Sequence, residues 1–208
     1  MKRVVLLLAL CVTALLSVWL ITESQTKSGV IEAIEARRSV RAYKDAPVEH
    51  EKLELLAKCG VLAPSAMNRQ EWEVRIVENK AWIDGATATY LKAVEGTGKA
   101  DYMLTPTFKN IFRNAAAVIF VGAPDGVFSG ENVGCMAQNI MLAATELDLG
   151  TCFLGSAQMI FAEPAMDGCL QSLGFSEGYK LRYALAVGYP DESPEAKPRD
   201  MTKIKWVE

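Results

Sequence analysis

The stretch SGENVGCMAQNIMLAATELDLG, residues 129–150, constrains the fold more than any other part of this 208-residue chain. Its periodicity predicts a long helix, with Ser129 as the cap, Glu131 and Asn132 in the first turn and Gly150 at the end. Cys135, Met136, Ile140, Met141, Leu142, Ala143, Ala144 and Leu147 leave it apolar on most sides. A helix of that kind must be covered all round. In a chain this short, complete cover is most easily supplied by a second subunit, so a homodimer is expected from this helix alone.

The remaining elements must pack around it. GVIEAIEARR reads as a short helix, and EHEKLELLAKCGVLA as a second, with Leu53, Leu56, Leu55, Cys59 and Leu62 at helical spacing and Pro64 as its stop. WEVRIV alternates as a half-buried strand, AAAVIFVGAP is a continuous apolar run expected of a central strand, and YKLRYALAVGYP reads as a strand packed closely on one face. A helix over KAWIDGATATYLKAV and an irregular, Gly- and Thr-containing segment, expected as a mobile loop, lie between the first two strands. Helices alternate irregularly with few strands, which predicts an α+β sandwich rather than a doubly wound sheet. No G-x-G-x-x-G follows a strand, and GTGKA lacks the spacing of a phosphate loop.

Charge and rare residues exclude whole classes of chemistry. A net charge of -3 gives no global basic field, so no nucleic-acid partner is expected. The single histidine, His50, sits in a charged helical stretch and reads as solvated, leaving no material for a Ser-His-Asp relay or a histidine metal site. The five cysteines have no paired spacing, so neither zinc nor a disulfide framework is expected. Lys2 and Arg3 precede VVLLLALCVTALLSVWLI, Val4 to Ile21, which carries no charge. Residues 1–27 therefore read as a signal peptide or, given the length of the run, an uncleaved membrane anchor. The basic flank places the domain of residues 28–208 on the extracytoplasmic side, anchored to the membrane or exported.

Three constellations carry chemistry. Arg37, Arg38, Ser39 and Arg41 offer forked guanidinium donors and a hydroxyl, the set that a phosphate monoester needs. On its own, such a cluster is also what a solvated basic patch looks like. In APSAMNRQEW, residues 63–72, Ser65, Asn68 and Gln70 present hydroxyl and amide groups that fit the edge of a heterocycle, or equally an ordinary turn. Lys197 and Arg199, in KPR, fall on one side of an extended tail and fit a single anion, or a frayed basic end.

In this order, RRSVRAY, APSAMNRQEW, NVGCMAQNIMLAATELDLGTCFLG and VGYPDESPEAKPR resemble the motifs of the FMN-dependent nitroreductase family, from about Gly29 to Arg199. The resemblance implies an intertwined homodimer with a central mixed or antiparallel sheet flanked by helices, and FMN bound at the subunit interface. By that resemblance Arg37, Ser39, Lys197 and Arg199 hold the phosphate, and Arg41 faces the pyrimidine end, where a fixed cation favours the reduced, negatively charged flavin. Arg38 stands between ligand and surface. Pro64, Ser65, Ala66 and Asn68, with Gln70 beside them, resemble the segment lent by the second subunit, and backbone amides near Gly155 and Ser156 approach N5. Two positions depart from the family pattern. Glu71 stands in place of the usual proline, and SAQMIF after Gly155 lacks an acidic residue. The implied activity is hydride transfer from NAD(P)H, or another donor, to FMN, then two-electron reduction of a small-molecule acceptor such as a nitroaromatic or quinone. The flavin carries that chemistry, so no catalytic side chain is assigned. A flavin-binding protein without turnover, and an oxidase or dehalogenase branch of the fold, are the alternatives.

Overall fold

The computed structural model describes residues 29–207; the apolar stretch read as a signal or anchor lies outside them. Its contacts divide the chain between Ala36 and Arg37. Helix α1 (Gly29–Ala36) belongs to the N-terminal unit and carries Glu32 in its first turn. From Arg37 onward the elements are α2 (His50–Val61), β1 (Glu73–Val77), α3 (Lys80–Ala93), β2 (Ala117–Ala123), α4 (Ser129–Glu146), β3 (Gly150–Leu154), α5 (Ser156–Phe161), α6 (Asp167–Ser172) and β4 (Lys180–Gly188).

The strands form one antiparallel sheet in the order β1-β2-β4-β3. The continuous apolar run of β2 has the expected cause: its strand is central and buried along its whole length. Val118 and Phe120 face a cluster built on Ile83, Tyr90, Phe112, Phe161 and Met166. Ala117, Ile119 and Val121 face the other, with Leu53 and Leu56 of α2 and Met136 and Ile140 of α4. Two helical layers thus sandwich the sheet, as an α+β reading requires. Strand β4 lies between β2 and β3, so Ala184 and Ala186 are buried on one face and Tyr183, Leu185 and Val187 on the other. It is covered on both faces, where the sequence predicted one.

Three further expectations are corrected. Helix α4 ends at Glu146, and Asp148 adopts the left-handed conformation (φ 58°) that releases the chain into β3, a strand that the alternation of apolar residues did not announce. Phe128, not Ser129, precedes the first turn of α4; the Ser129 hydroxyl donates to the Pro124 carbonyl at 2.7 Å instead. The irregular segment after α3 is no free loop, because Met103, Ile111 and Phe112 within it are buried in the core. In α4 itself a single stripe is buried, Asn132, Val133, Met136, Ala137, Ile140 and Ala144, while Gly134, Cys135 and Gln138 remain exposed within the one chain.

Candidate functional site

The arginine segment is seated on the sheet by two glycines. Gly150 and Gly188 are register partners in the β3–β4 pair. A Cβ on Gly150 would lie 2.8 Å from Val40, and one on Gly188 would lie 2.8 Å from the Tyr43 ring, so both positions must lack a side chain for the segment to lie flat. Ser39 bridges Thr151 in parallel, and the Val40 amide donates to the Thr151 carbonyl at 2.9 Å. The buried Tyr43 hydroxyl donates to the Val40 carbonyl at 2.6 Å and fixes the bend between them. Burial drives its phenol above the usual range, so it stays a neutral donor.

Beyond Gly188 the chain returns along the other side of this segment. The Lys44 amide donates to the Tyr189 carbonyl, Tyr43 bridges Pro190, and the Asp191 amide donates to the Ala42 carbonyl. The Glu192 carboxylate then accepts from the backbone amides of both Arg41 and Ala42. The base of the strap is fixed by α2: the Tyr189 hydroxyl donates to Glu49 at 2.6 Å and accepts from Lys52 Nζ at 2.6 Å.

Electrostatics locate the cations. Burial pushes the Cys152 thiol up, Glu192 adding to it, while the positive charges of Arg41, Arg113 and Arg37 act against that rise. Arg37 and Ser39 are half-buried and Arg41 is exposed, with its guanidinium donating to the Ser39 carbonyl at 3.1 Å. Arg38 donates to the Arg37 carbonyl at 2.8 Å. Arg113 had no signal in the sequence. It occupies a left-handed turn (φ 60°) that Asn110 builds by accepting from the amides of Phe112 and Asn114, and its guanidinium lies over the Tyr102 ring. At the other end of β3, Gly155 is exposed, and nothing stands within 4 Å of where its Cβ would be, so a planar ligand can approach the backbone there; Ser156 opens α5 beside it.

The second constellation is a turn under strain. Met67, Asn68 and Gln70 all take positive φ, at 53°, 53° and 52°. Such conformations cost side-chain-bearing residues about 1–2 kcal/mol each, somewhat less for Asn. Ser65 Oγ accepts from the Gln70 backbone amide at 3.0 Å, and the Asn68 side-chain oxygen Oδ1 accepts from Gln70 Nε2 at 3.1 Å. Buried Asn132 of α4 accepts from the Ala66 amide at 2.9 Å and ties the turn to the core. Pro64 is exposed at its entrance, and Glu71 lies 3.8 Å from Arg69.

Among the described residues, no hydrogen bond or ion pair joins this turn to Arg37, Ser39 or Arg41, or joins Lys197 or Arg199 to Arg37 or Ser39. Lys197 and Arg199 are exposed, and Arg199 donates to the Lys197 carbonyl at 2.9 Å. His50 is exposed at the start of α2 and bonds Glu78 at 2.9 Å. Gly150, Gly188, Glu192 and Arg113 are the site residues that the sequence did not single out.

An antiparallel sheet between two helical layers, with a glycine-seated arginine segment along its edge strand, defines an α+β protein. Residues 34–189 match the model of the nitroreductase family, and the chain belongs to that family. It is similar to an NADPH-flavin oxidoreductase of Vibrio harveyi, at 26% identity over 83% of this chain and 70% of that protein. It is likewise similar to an FMN reductase [NAD(P)H] of Bacillus subtilis, at 26% identity over 82% and 69%. A solved nitroreductase with bound FMN from Desulfitobacterium hafniense superposes with a TM-score of 0.77 at 28% identity, covering 88% of this chain and 100% of that one. The fold is that of the nitroreductases.

Proposed function

We propose that this chain is an FMN-dependent oxidoreductase that takes reducing equivalents from NAD(P)H and delivers two electrons to a small acceptor such as a nitroaromatic or a quinone. The observation that carries this reading is the arginine segment seated along β3, where Ser39 bridges Thr151 and Arg41 donates to the Ser39 carbonyl, with the Gly155 backbone exposed at the far end of the strand, in a chain of this family. The residues present fit the cofactor: cations and a hydroxyl suit a dianionic phosphate, and bare backbone suits a flat ring system. FMN, when bound, supplies the two-electron carrier. Arg37 and Ser39, joined by Lys197 and Arg199, hold the phosphate. Arg41 places positive charge at the pyrimidine edge, and the amides at Gly155 and Ser156 approach N5. Arg38 borders the phosphate group.

The site is shared between two copies of the chain in an intertwined homodimer. Pro64, Ser65, Ala66, Asn68 and Gln70 of one copy complete the pocket of the other, which gives the strained turn a purpose that its own chain does not. The exposed outer face of α4 and Phe153, 45% exposed and stacked on Tyr183 at 4.7 Å, support the same reading, since a second subunit would cover them.

The apolar run Val4 to Ile21 is proposed to tether the enzyme to a membrane or direct its export, with the catalytic domain extracytoplasmic. Among the described residues no helix is long and apolar enough to cross a membrane, so the tether rests on that run. An extracytoplasmic domain would meet little NAD(P)H, and on that placement a membrane quinol or a partner flavoprotein is the alternative donor. Stopped-flow reduction of the bound flavin decides between donors: rapid bleaching by micromolar NADH or NADPH identifies the nicotinamide, and slow bleaching by both points to the membrane donor. A protein that binds FMN but reduces no member of a broad acceptor panel would be a flavin carrier instead.

A further inference from the structure

We propose that Glu192 is a positioning residue: its carboxylate latches the C-terminal strap to the arginine segment, so that Lys197 and Arg199 reach the same phosphate as Arg37. The inference rests on the FMN reading above. Its basis is the stepwise pairing of two strands of chain that are remote in sequence. Lys44 pairs with Tyr189, Tyr43 with Pro190 and Ala42 with Asp191, all through backbone groups. At the next step the backbone pairing stops, and the Glu192 side chain takes over, accepting from the amides of Arg41 and Ala42 together. Two consecutive amides presented to one carboxylate form a small anion-binding nest. Past Glu192 the strap contains Pro194 and Pro198, which have no N–H to extend a ladder. Glu192 is therefore the last fixed point before the two basic residues.

The two arms that leave this point have matching reach. Arg37 precedes Arg41 by four residues, and Lys197 follows Glu192 by five. Extended chain spans roughly 3.3–3.6 Å per residue, so the arms reach roughly 13–18 Å. A latch at their common root raises the effective concentration of the second pair of cations at the anion held by the first. A carboxylate at the backbone of Arg41 would, if it acted by charge alone, compete with the phosphate. The two roles predict effects of opposite sign.

Purified full-length apoprotein is titrated with FMN and with riboflavin, which lacks the phosphate, following flavin fluorescence. Glu192→Ala is expected to weaken FMN binding roughly five- to tenfold, the scale of a lost charge-assisted contact at an exposed site, and to leave riboflavin binding unchanged. Glu192→Gln, whose amide oxygen still accepts, is expected to restore most of the FMN affinity. Without any flavin present, hydrogen exchange of the Arg41 and Ala42 amides should accelerate in the alanine variant and much less in the glutamine variant. Unchanged or tighter FMN binding by Glu192→Ala overturns the latch, as does an equal loss for FMN and riboflavin, which would mark general damage to the fold. Wild-type protein that binds no FMN overturns both the latch and the reading beneath it, whereas tight wild-type binding with an indifferent Glu192→Ala overturns the latch alone.

Discussion

The two halves of the candidate site are built in opposite ways. The arginine segment is held on both sides by its own chain, by β3 through Ser39 and Val40 and by the returning strap through Ala42, Tyr43 and Lys44. Its backbone lies where two paired glycines leave room. The turn around Met67 and Asn68 is tied to its own fold chiefly through Asn132, and it keeps three residues in left-handed conformations. A relaxed, enclosed segment suits the fixed end of a ligand. A strained, outward turn suits a group offered to a neighbour, and the contrast is what the proposed sharing of one pocket between two copies would require.

The comparison can be broken at either half. The largest effect is expected from Gly150→Val, which drives a branched side chain into Val40 and costs about 3 kcal/mol in denaturant unfolding. Lifting the segment off β3 should also abolish FMN uptake, as read by flavin fluorescence. On the other half, Asn132→Ala leaves the Ala66 amide without its acceptor and is expected to cost about 1–2 kcal/mol of stability. If the turn serves the neighbouring pocket, FMN affinity falls with it; an unchanged affinity would remove the turn from the site.

A smaller effect sharpens the account of the strap. The Glu49 carboxylate is held below its ordinary range, first by the Tyr189 hydroxyl and also by Lys52. A depressed carboxylate adds stability that is fully present above its unfolded pKa and is lost as pH falls through the lower folded value. Titration of Glu49 by NMR should therefore show an acid midpoint below that of an unperturbed glutamate, and Tyr189→Phe should bring it back toward the unperturbed value.

Much of this was legible in the sequence where the signal was local. The apolar run of β2, the helical spacing of Leu53 and Leu56, and the existence of α4 each follow from neighbouring residues. Strand β3 was not legible, because five residues directly after a helix give too little alternation to separate from a helix end. Gly150 looked like a stop signal for α4, yet its true constraint is Val40, distant in sequence and near in space. The arginine segment, Arg37 to Arg41, was legible as a motif. Arg113 and Glu192 were not, since each owes its place to a turn or a pairing formed by the fold: the Asn110 turn for one, the register of residues 189–192 against 41–44 for the other. The outer face of α4 shows the reverse case. The sequence read this helix as apolar on most sides, yet the positions left exposed include Glu131, Gly134, Cys135 and Gln138, which no described part of the same chain covers.

The most direct measurement is an equilibrium titration of the apoprotein with FMN, comparing wild type with Arg37→Ala and repeating both with riboflavin. The account predicts a yellow wild-type complex, and a loss in the variant of about 1.5–3 kcal/mol, roughly ten- to a hundredfold, that is confined to FMN because it removes a charge-assisted phosphate contact. A wild-type protein that takes up no FMN, or an Arg37→Ala variant that binds FMN as tightly as wild type, would contradict it.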